Sequence, residues 1–269
     1  NEKYVNKILM KDSYRDAYGT AIIYANRDKL AAGEVTLDQL MNDNSEEAIN
    51  TAEEYLKAMK PNIAGWEADF GKEMMTKGKA WINFTWSGDA VWAIEEAEAV
   101  GVELDYVVPM EGSNVWFDGW VIPKYAQNTK AASYFINYMC RPDIALRNMD
   151  AIGYVSTIAT PEILEAKIDP EIEGYYDLSY FFGEGADSIK IDPVQYPDRK
   201  VIERCAVIRD FTSKEDLEKA LEMWSRVKGD NLNTGTLLII GVVVLCLIGW
   251  LVMKQLNKRN NNKRKKTRR

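Results

Sequence analysis

The sequence predicts an α/β domain followed by one transmembrane helix. Segments that alternate like strands, at 81–86, 102–108 and 115–122, are separated by segments with helical spacing, an order typical of α/β layers. Residues 231–253 carry no charge, and most of them are apolar. About 20 apolar residues in a helix cross the hydrocarbon core of a bilayer. A helix that is apolar on all sides could also be buried in a soluble domain, but the rest of this chain is too polar to provide such a core. We therefore predict a membrane span at 236–253.

The two sides of this predicted span differ in charge. The tail 254–269 holds nine of the 34 lysines and arginines and no acid, and positive residues beside a span mark its cytoplasmic side. Residues 1–228 and a linker at 229–235 are therefore expected outside the cell. Without the tail, the chain has 25 basic and 41 acidic residues. Its net charge is then −16, compared with −7 for the whole chain. Such a surface attracts cations and disfavours nucleic acid, so a topology signal explains the tail more simply than a nucleic-acid arm does.

The composition argues against a metal centre or a cofactor. The sequence has no histidine, and its three cysteines, Cys140, Cys205 and Cys246, are far apart, so a zinc or copper site has little support. We interpret Cys140 and Cys205 as buried thiols rather than as a disulfide.

The chain starts at Asn1 without a methionine, a signal peptide or a lipid-attachment cysteine, and we expect a further segment upstream.

The first hundred residues contain three helices with recognisable starts. In the helix predicted at 12–26, Ser13 and Asp16 have the spacing of a capping box. A second helix is predicted at 44–60, where the proline that follows stops it. A turn after the strand at 81–86 leads into the third helix, predicted at 87–99.

The remaining elements are predicted from hydrophobic spacing and breakers. In chain order they are helices at 129–139 and 143–151, a turn at 153–157, an irregular stretch rich in tyrosine and glycine at 170–200, and a last helix from Ser213 to the linker.

One aromatic and acidic segment, 114–123, carries the clearest functional signal. Asp118 lies between Trp116 and Trp120 on an otherwise apolar segment, where a carboxylate is costly to bury without a cation. A cation over an indole face gains roughly 0.5 to 2 kcal/mol. The carboxylate adds a charge-assisted hydrogen bond to an ammonium. This combination predicts a cleft that binds an amine.

The order of short motifs along the chain resembles the extracytoplasmic spermidine/putrescine-binding proteins of bacterial polyamine ABC importers. The resemblance covers nearly all of residues 1–228. Its motifs are DSYRDA at 12–17, WSGDA at 86–90, VPMEG at 108–112, WFDGWVIP at 116–123, FINY at 135–138, RPD at 141–143, IGY at 152–154 and RD at 209–210.

The resemblance implies a periplasmic-binding-protein-like fold, a two-lobed clamp that closes on a polyamine. This chain would be the C-terminal two-thirds of such a clamp, with the first lobe largely missing. The second lobe would comprise about 1–116 and 166–228, and about 117–165 would return to the first lobe. Such a protein captures putrescine or spermidine and delivers it to a membrane permease driven by a cytoplasmic ATPase. It is not an enzyme.

The resemblance also implies ligand contacts at particular positions. Trp86 matches an indole that lines the cleft, and Trp116 matches a ring that stacks along the methylenes. Asp118 matches the carboxylate that pairs a buried amine. Tyr154 matches a phenol of the cleft wall. Packing in the core is the alternative for both tryptophans.

Three further positions correspond to contacts near the ends of the ligand. Asp16 matches an acidic residue near an amine end. Ser13 stands where the family often has an acid, and Asp210 where a glutamine can contact the ligand. Ser13 and Asp16 have capping of a helix as their alternative role, which for Ser13 is the favoured one.

The sequence leaves other functions open. The same clamp can hold a ferric ion, thiamine or an amino acid, and Tyr175-Tyr176 keeps the ferric alternative alive despite the absence of histidine. An extracellular carbohydrate-active enzyme needs two acids about 5 to 9.5 Å apart in one cleft, and no spacing here singles out such a pair. A tethered adhesion module without a small ligand is the remaining alternative.

Overall fold

The structure, a computed structural model, describes residues 2–229 and, beyond them, residues 242, 243, 249, 250, 253 and 254. The contacts within the chain divide it into two units, Asn1–Leu221 and Glu222–Arg269. Most of the predicted linker, span and tail lie outside the described residues. Among the residues that are described, no helix is both long enough and apolar enough to cross a membrane.

A parallel sheet is the centre of the first unit. Its strands within residues 2–229 are β1 (Ile8–Lys11), β2 (Ile63–Glu67) and β3 (Ile82–Phe84), in the order β2-β1-β3. Leu9 and Met10 of the central strand are buried, as expected for a parallel strand covered on both faces. Strands that pair in parallel need crossover helices between them, so the predicted α/β class is confirmed.

Helices connect the strands of the sheet and follow it along the chain. Within residues 2–229 they are α1 (Tyr14–Ala25), α2 (Arg27–Ala31), α3 (Leu37–Met41), α4 (Glu46–Met59), α5 (Gly71–Thr76), α6 (Ser87–Glu98), α7 (Thr129–Met139), α8 (Pro142–Ile152), α9 (Pro161–Lys167), α10 (Ser179–Phe182), α11 (Arg199–Glu203) and α12 (Lys214–Gly229). Short 3-10 helices lie at Glu2–Tyr4 and Lys60–Asn62. The helices predicted from their start signals or spacing are confirmed as α1, α4, α6, α7, α8 and α12.

The strands predicted at 102–108 and 115–122 are wrong. A short parallel pair, β4 (Ser113–Asn114) with β5 (Cys205–Ala206), is the regular pairing found there in the described chain. It is extended by one hydrogen bond, from the Val115 amide to the Ala206 carbonyl at 3.0 Å. Alternating apolar and polar residues indicate that one face of a segment is buried. A strand also needs a neighbouring backbone with which it can form hydrogen bonds.

A second apolar core lies around α8 and α9. It contains Met149, Ile163, Leu178, Ile191 and Tyr196, all almost fully buried. The segment from 170 to 200 is mostly irregular, as predicted, and it supplies half of this core. The core includes residues from both sides of the predicted lobe boundary at 165, and the boundaries themselves stay a prediction.

The two cysteines of the described chain are free thiols in different environments. Cys140 is exposed at the end of α7, so its predicted burial is wrong. Cys205 is partly buried, and its thiol donates to the Val201 carbonyl at 3.2 Å. Burial raises the pKa of the Cys205 thiol, which keeps it protonated and unreactive.

Candidate functional site

The first turn of α1 presents a carboxylate to the candidate site. Ser13 caps the helix, because its hydroxyl accepts a weak hydrogen bond from the Asp16 amide at 3.4 Å. Only this half of the predicted capping box forms. The Asp16 carboxylate turns away from the cap: Oδ2 accepts from the Trp86 indole Nε1 at 3.3 Å, and Oδ1 accepts from the Asn114 amide at 2.8 Å.

Three aromatic rings follow one another beside this carboxylate. The Trp86 ring lies 6.2 Å from the Trp116 ring at an angle of 53°, and the Trp116 ring lies 6.4 Å from the Tyr154 ring at 69°. Tilted and edge-to-face pairs at these distances are favourable arrangements of aromatic rings. Asp16, Trp86, Trp116 and Tyr154, all predicted as ligand contacts, therefore form one group, which we name the indole cluster.

Two glycines bring Tyr154 into the indole cluster. A Cβ atom on Gly88, at the start of α6, would lie only 2.3 Å from the Tyr154 ring. Gly153 ends α8 with a φ of 76°, and a Cβ there would lie 2.7 Å from the Gly88 carbonyl oxygen. Glycine removes the steric clash at both positions and accepts the left-handed backbone at the second. The WSGDA motif, through Gly88, therefore packs against the IGY motif, through Gly153 and Tyr154.

The Tyr154 phenol is a neutral group at physiological pH. Burial raises its pKa, and the negative charge of the nearby Asp89 raises the pKa further. The hydroxyl therefore provides polarity to the cluster without adding charge.

A lysine that the sequence reasoning missed lies beside the cluster. Lys11, at the end of β1, is 4% exposed, and its ammonium lies 4.2 Å from the centre of the Trp86 ring. The ammonium is 2.5 Å from Asp89 Oδ2 and 3.3 Å from Glu67 Oε1, and it donates to the Ala68 carbonyl at 2.9 Å. A lysine at the end of the apolar run ILM was the signal available in the sequence.

The other predicted contacts lie elsewhere. Asp118 is exposed on the segment that follows β4. Asp210 is exposed and forms an ion pair with Arg15. Ser13 is partly buried, and its recorded contact is the helix cap. The aromatic and acidic segment singled out by its sequence therefore contributes Trp116 to the indole cluster but not Asp118.

The described part of the chain provides no ion-pair partner for Asp16. Within residues 2–229, no lysine or arginine forms an ion pair with it, whereas Asp89 has Lys11 and Asp210 has Arg15. Its hydrogen bonds come from two neutral N–H donors, which orient the carboxylate and leave lone pairs unused. A carboxylate that is fixed in this way beside aromatic rings can receive a cationic ligand.

A cavity of about 520 Å³ adjoins the indole cluster. It lies between α1, β3, α6 and the segment 104–114, and its wall includes Lys11, Asp16 and Trp86. Most of its lining is apolar, from residues such as Met10, Ile23, Phe84 and Ile94. Its volume is in the range of small-molecule sites.

Comparison with known proteins places this chain among solute-binding proteins. Residues 1–173 match the family model described as "Bacterial extracellular solute-binding protein". The chain is 30% identical over 171 residues to a spermidine/putrescine-binding periplasmic protein of Salmonella typhimurium, which is 63% of this chain and 43% of that protein. It is 26% identical over 191 residues to a putrescine-binding periplasmic protein of Pseudomonas aeruginosa, covering 69% of this chain and 45% of that one.

A solved structure has the same fold. The spermidine/putrescine ABC transporter substrate-binding protein of Streptococcus pneumoniae superposes with a TM-score of 0.58 at 28% identity, over 85% of this chain and 59% of that one. This chain therefore matches less than half the length of these two curated relatives and about three-fifths of this structural relative.

Proposed function

Because the chain belongs to the bacterial extracellular solute-binding proteins, we propose that it captures a polyamine, putrescine or spermidine, outside the cytoplasm. The protein performs no chemistry on the ligand, in keeping with the family's description. Relatives named for polyamine binding, in Salmonella typhimurium and Pseudomonas aeruginosa, support the ligand class. As in an ABC importer, the bound polyamine passes to a membrane permease that a cytoplasmic ATPase drives.

The Asp16 carboxylate of the indole cluster, which forms no ion pair with a lysine or arginine of residues 2–229, is the observation that carries this proposal. A polyamine alternates ammonium groups with short runs of methylenes. Asp16 supplies the charge for one ammonium through a charge-assisted hydrogen bond. Trp86 and Trp116 supply faces for the methylenes and for a cation–π contact. A neutral or anionic solute would leave the Asp16 charge uncompensated in a partly buried site.

The remaining predicted contacts enter the proposal with smaller roles. Tyr154 forms a wall of the site. Asp118, which is exposed in this chain, serves as an outer carboxylate for a second ammonium. Asp210 and Ser13 are assigned to the ligand ends on the resemblance alone. Asp210 forms an ion pair with Arg15, and Ser13 caps α1.

The clamp is proposed to have the lobes predicted from the sequence. Residues 1–116 and 166–228 would form one lobe, and 117–165 would belong to the other. In this proposal, ligand binding would draw the two lobes together.

A thermal-shift panel tests the ligand class. A ligand at about 100 times its Kd stabilises a protein by about 2.7 kcal/mol, and for a domain of this size that raises the melting temperature by roughly 5 to 10 °C. We expect putrescine or spermidine to produce this shift in the full chain, and glutamate or thiamine to produce none. A shift with glutamate or thiamine alone would replace the polyamine with another solute on the same fold.

We further propose that the chain is anchored in the cell membrane through 236–253, with residues 1–228 outside and the tail 254–269 in the cytoplasm. The support is the uncharged run and the nine cations that follow it.

Protease protection tests this topology. Protease added to intact cells is expected to remove the large domain and to spare an epitope tag placed after Arg269. The same tag should be degraded once the cells are permeabilised, which serves as the control. Loss of the tag with protection of the domain in intact cells would reverse the orientation.

A further inference from the structure

The surroundings of the Lys11 ammonium have the composition of a complete binding site for an alkylammonium ion. Asp89 and Glu67 provide two carboxylates, Ala68 provides a carbonyl, and Trp86 provides an aromatic face at 4.2 Å. An ammonium has three N–H donors, and three oxygen acceptors surround this one. Glu67 is 2% exposed, so water does not compensate its charge.

We propose that Lys11 is a tethered ammonium that occupies one face of Trp86 and positions this indole for the ligand. Trp86 is fixed from two directions: Asp16 accepts from its Nε1, and Lys11 lies over its ring. The position on the ring next to Lys11 is thereby closed to a second cation by charge repulsion. A ligand ammonium is left with the side of the cluster toward Asp16 and Trp116.

This arrangement has a consequence for ligand length, which rests on the proposed function. Putrescine carries two ammonium groups and spermidine carries three. The Lys11 ammonium already occupies one cation position beside Trp86. Fewer positions are therefore left for ligand ammonium groups, and putrescine, which has two, fits better than spermidine, which has three. When Lys11 is removed, Glu67 and Asp89 become available to a third ammonium.

Chemical rescue tests the tethered ammonium directly. Lys11→Ala removes three methylenes and the ammonium, which n-propylammonium can replace. Breaking a buried ion pair is expected to lower the melting temperature of the full chain by roughly 6 to 20 °C. Millimolar n-propylammonium should restore much of this loss, and the neutral n-propanol should not. The 520 Å³ cavity borders Lys11, so the space left by Lys11→Ala would open onto it.

Lys7→Ala is the matched control. Lys7 also lies over an indole, 5.1 Å from the Trp81 ring centre, but its recorded hydrogen bond goes to the Lys79 carbonyl in an exposed position. Its loss should change the melting temperature little, and n-propylammonium should not act on it. Equal rescue of Lys11→Ala by n-propanol, or no rescue by either compound, would overturn the proposal. If Lys11→Ala does not fold alone, refolding in n-propylammonium should recover it, and failure there also overturns the proposal.

Titration of the same variants with both polyamines tests the effect on ligand length. Lys11→Ala is expected to raise the affinity for spermidine relative to putrescine by at least about tenfold, the value of one modest charge-assisted contact. Lys7→Ala should leave this ratio unchanged. Binding of neither polyamine by the unaltered chain would reject the proposed function, while the rescue experiment would still decide the role of Lys11. Polyamine binding with an unchanged ratio in Lys11→Ala would reject the inference about length alone.

Discussion

Replacing Asp16 with asparagine is expected to weaken putrescine binding by roughly 30- to 5,000-fold, the cost of truncating one partner of a buried, hydrogen-bonded charge pair. The asparagine oxygen can still accept from Trp86 Nε1, so the fold and the position of the indole should persist. Isothermal titration of the full-length variant measures the affinity, and a melting curve checks the fold.

Two other acids serve as controls for Asp16. Asp143 also lies in the first turn of a helix, but it pairs with Arg141 on the surface, so Asp143→Asn should leave the affinity unchanged. Asp118 is exposed, and ion pairs in that setting contribute little, so Asp118→Asn should weaken binding by about fivefold or less. A larger loss for Asp118→Asn than for Asp16→Asn would contradict the placement of the site at Asp16.

Alanine at Gly88 is expected to disturb both the fold and the site. Its Cβ would lie 2.3 Å from the Tyr154 ring, and the backbone contact between Gly88 and Gly153 leaves little room on that side. Overpacking of this kind costs about 1 to 3 kcal/mol, which lowers the melting temperature by roughly 2 to 12 °C. Because Tyr154 contacts Trp116, displacement of the phenol should also weaken polyamine binding.

Two further variants show whether the Tyr154 ring causes the effect. Gly119→Ala places a Cβ where no atom lies within 4 Å, so it should be neutral for stability. In a Tyr154→Ala background the Gly88→Ala change should stabilise by about 0.5 to 1 kcal/mol, because alanine is the better helix residue. Equal destabilisation by Gly88→Ala with and without the ring would show that the contact is not the cause.

Local signals identified the helices well, because a helix completes its hydrogen bonds within its own segment. The caps Ser13 and Ser45 fix two starts, and hydrophobic spacing fixes α7 and α8. Strands depend on distant partners. The alternating segment 102–108 looks like a strand in sequence but finds no ladder in the described chain, whereas the short buried β1 has no distinctive alternation.

The candidate site also shows this difference between what can be predicted along the chain and what depends on distant residues. Asp16, Trp86, Trp116 and Tyr154 were predicted from their resemblance to a known family, and the structure brings them together. Lys11 was not predicted, since its role depends on Glu67 and Asp89, which lie 56 and 78 positions away.

Asp118 shows a further limit of reasoning from the sequence. Its aromatic neighbours in the sequence predict a buried ligand contact, but the exposure of a side chain depends on tertiary packing.

Calorimetric titration of the full chain with putrescine and with 1,4-butanediol tests the central claim most directly. The two compounds share four methylenes and differ in the charge of their ends. If Asp16 and the aromatic rings of the indole cluster recognise ammonium groups, putrescine should bind at one site, and the diol should bind at least about 30-fold more weakly. Equal affinity for the two compounds, or tighter binding of the diol, would contradict the account.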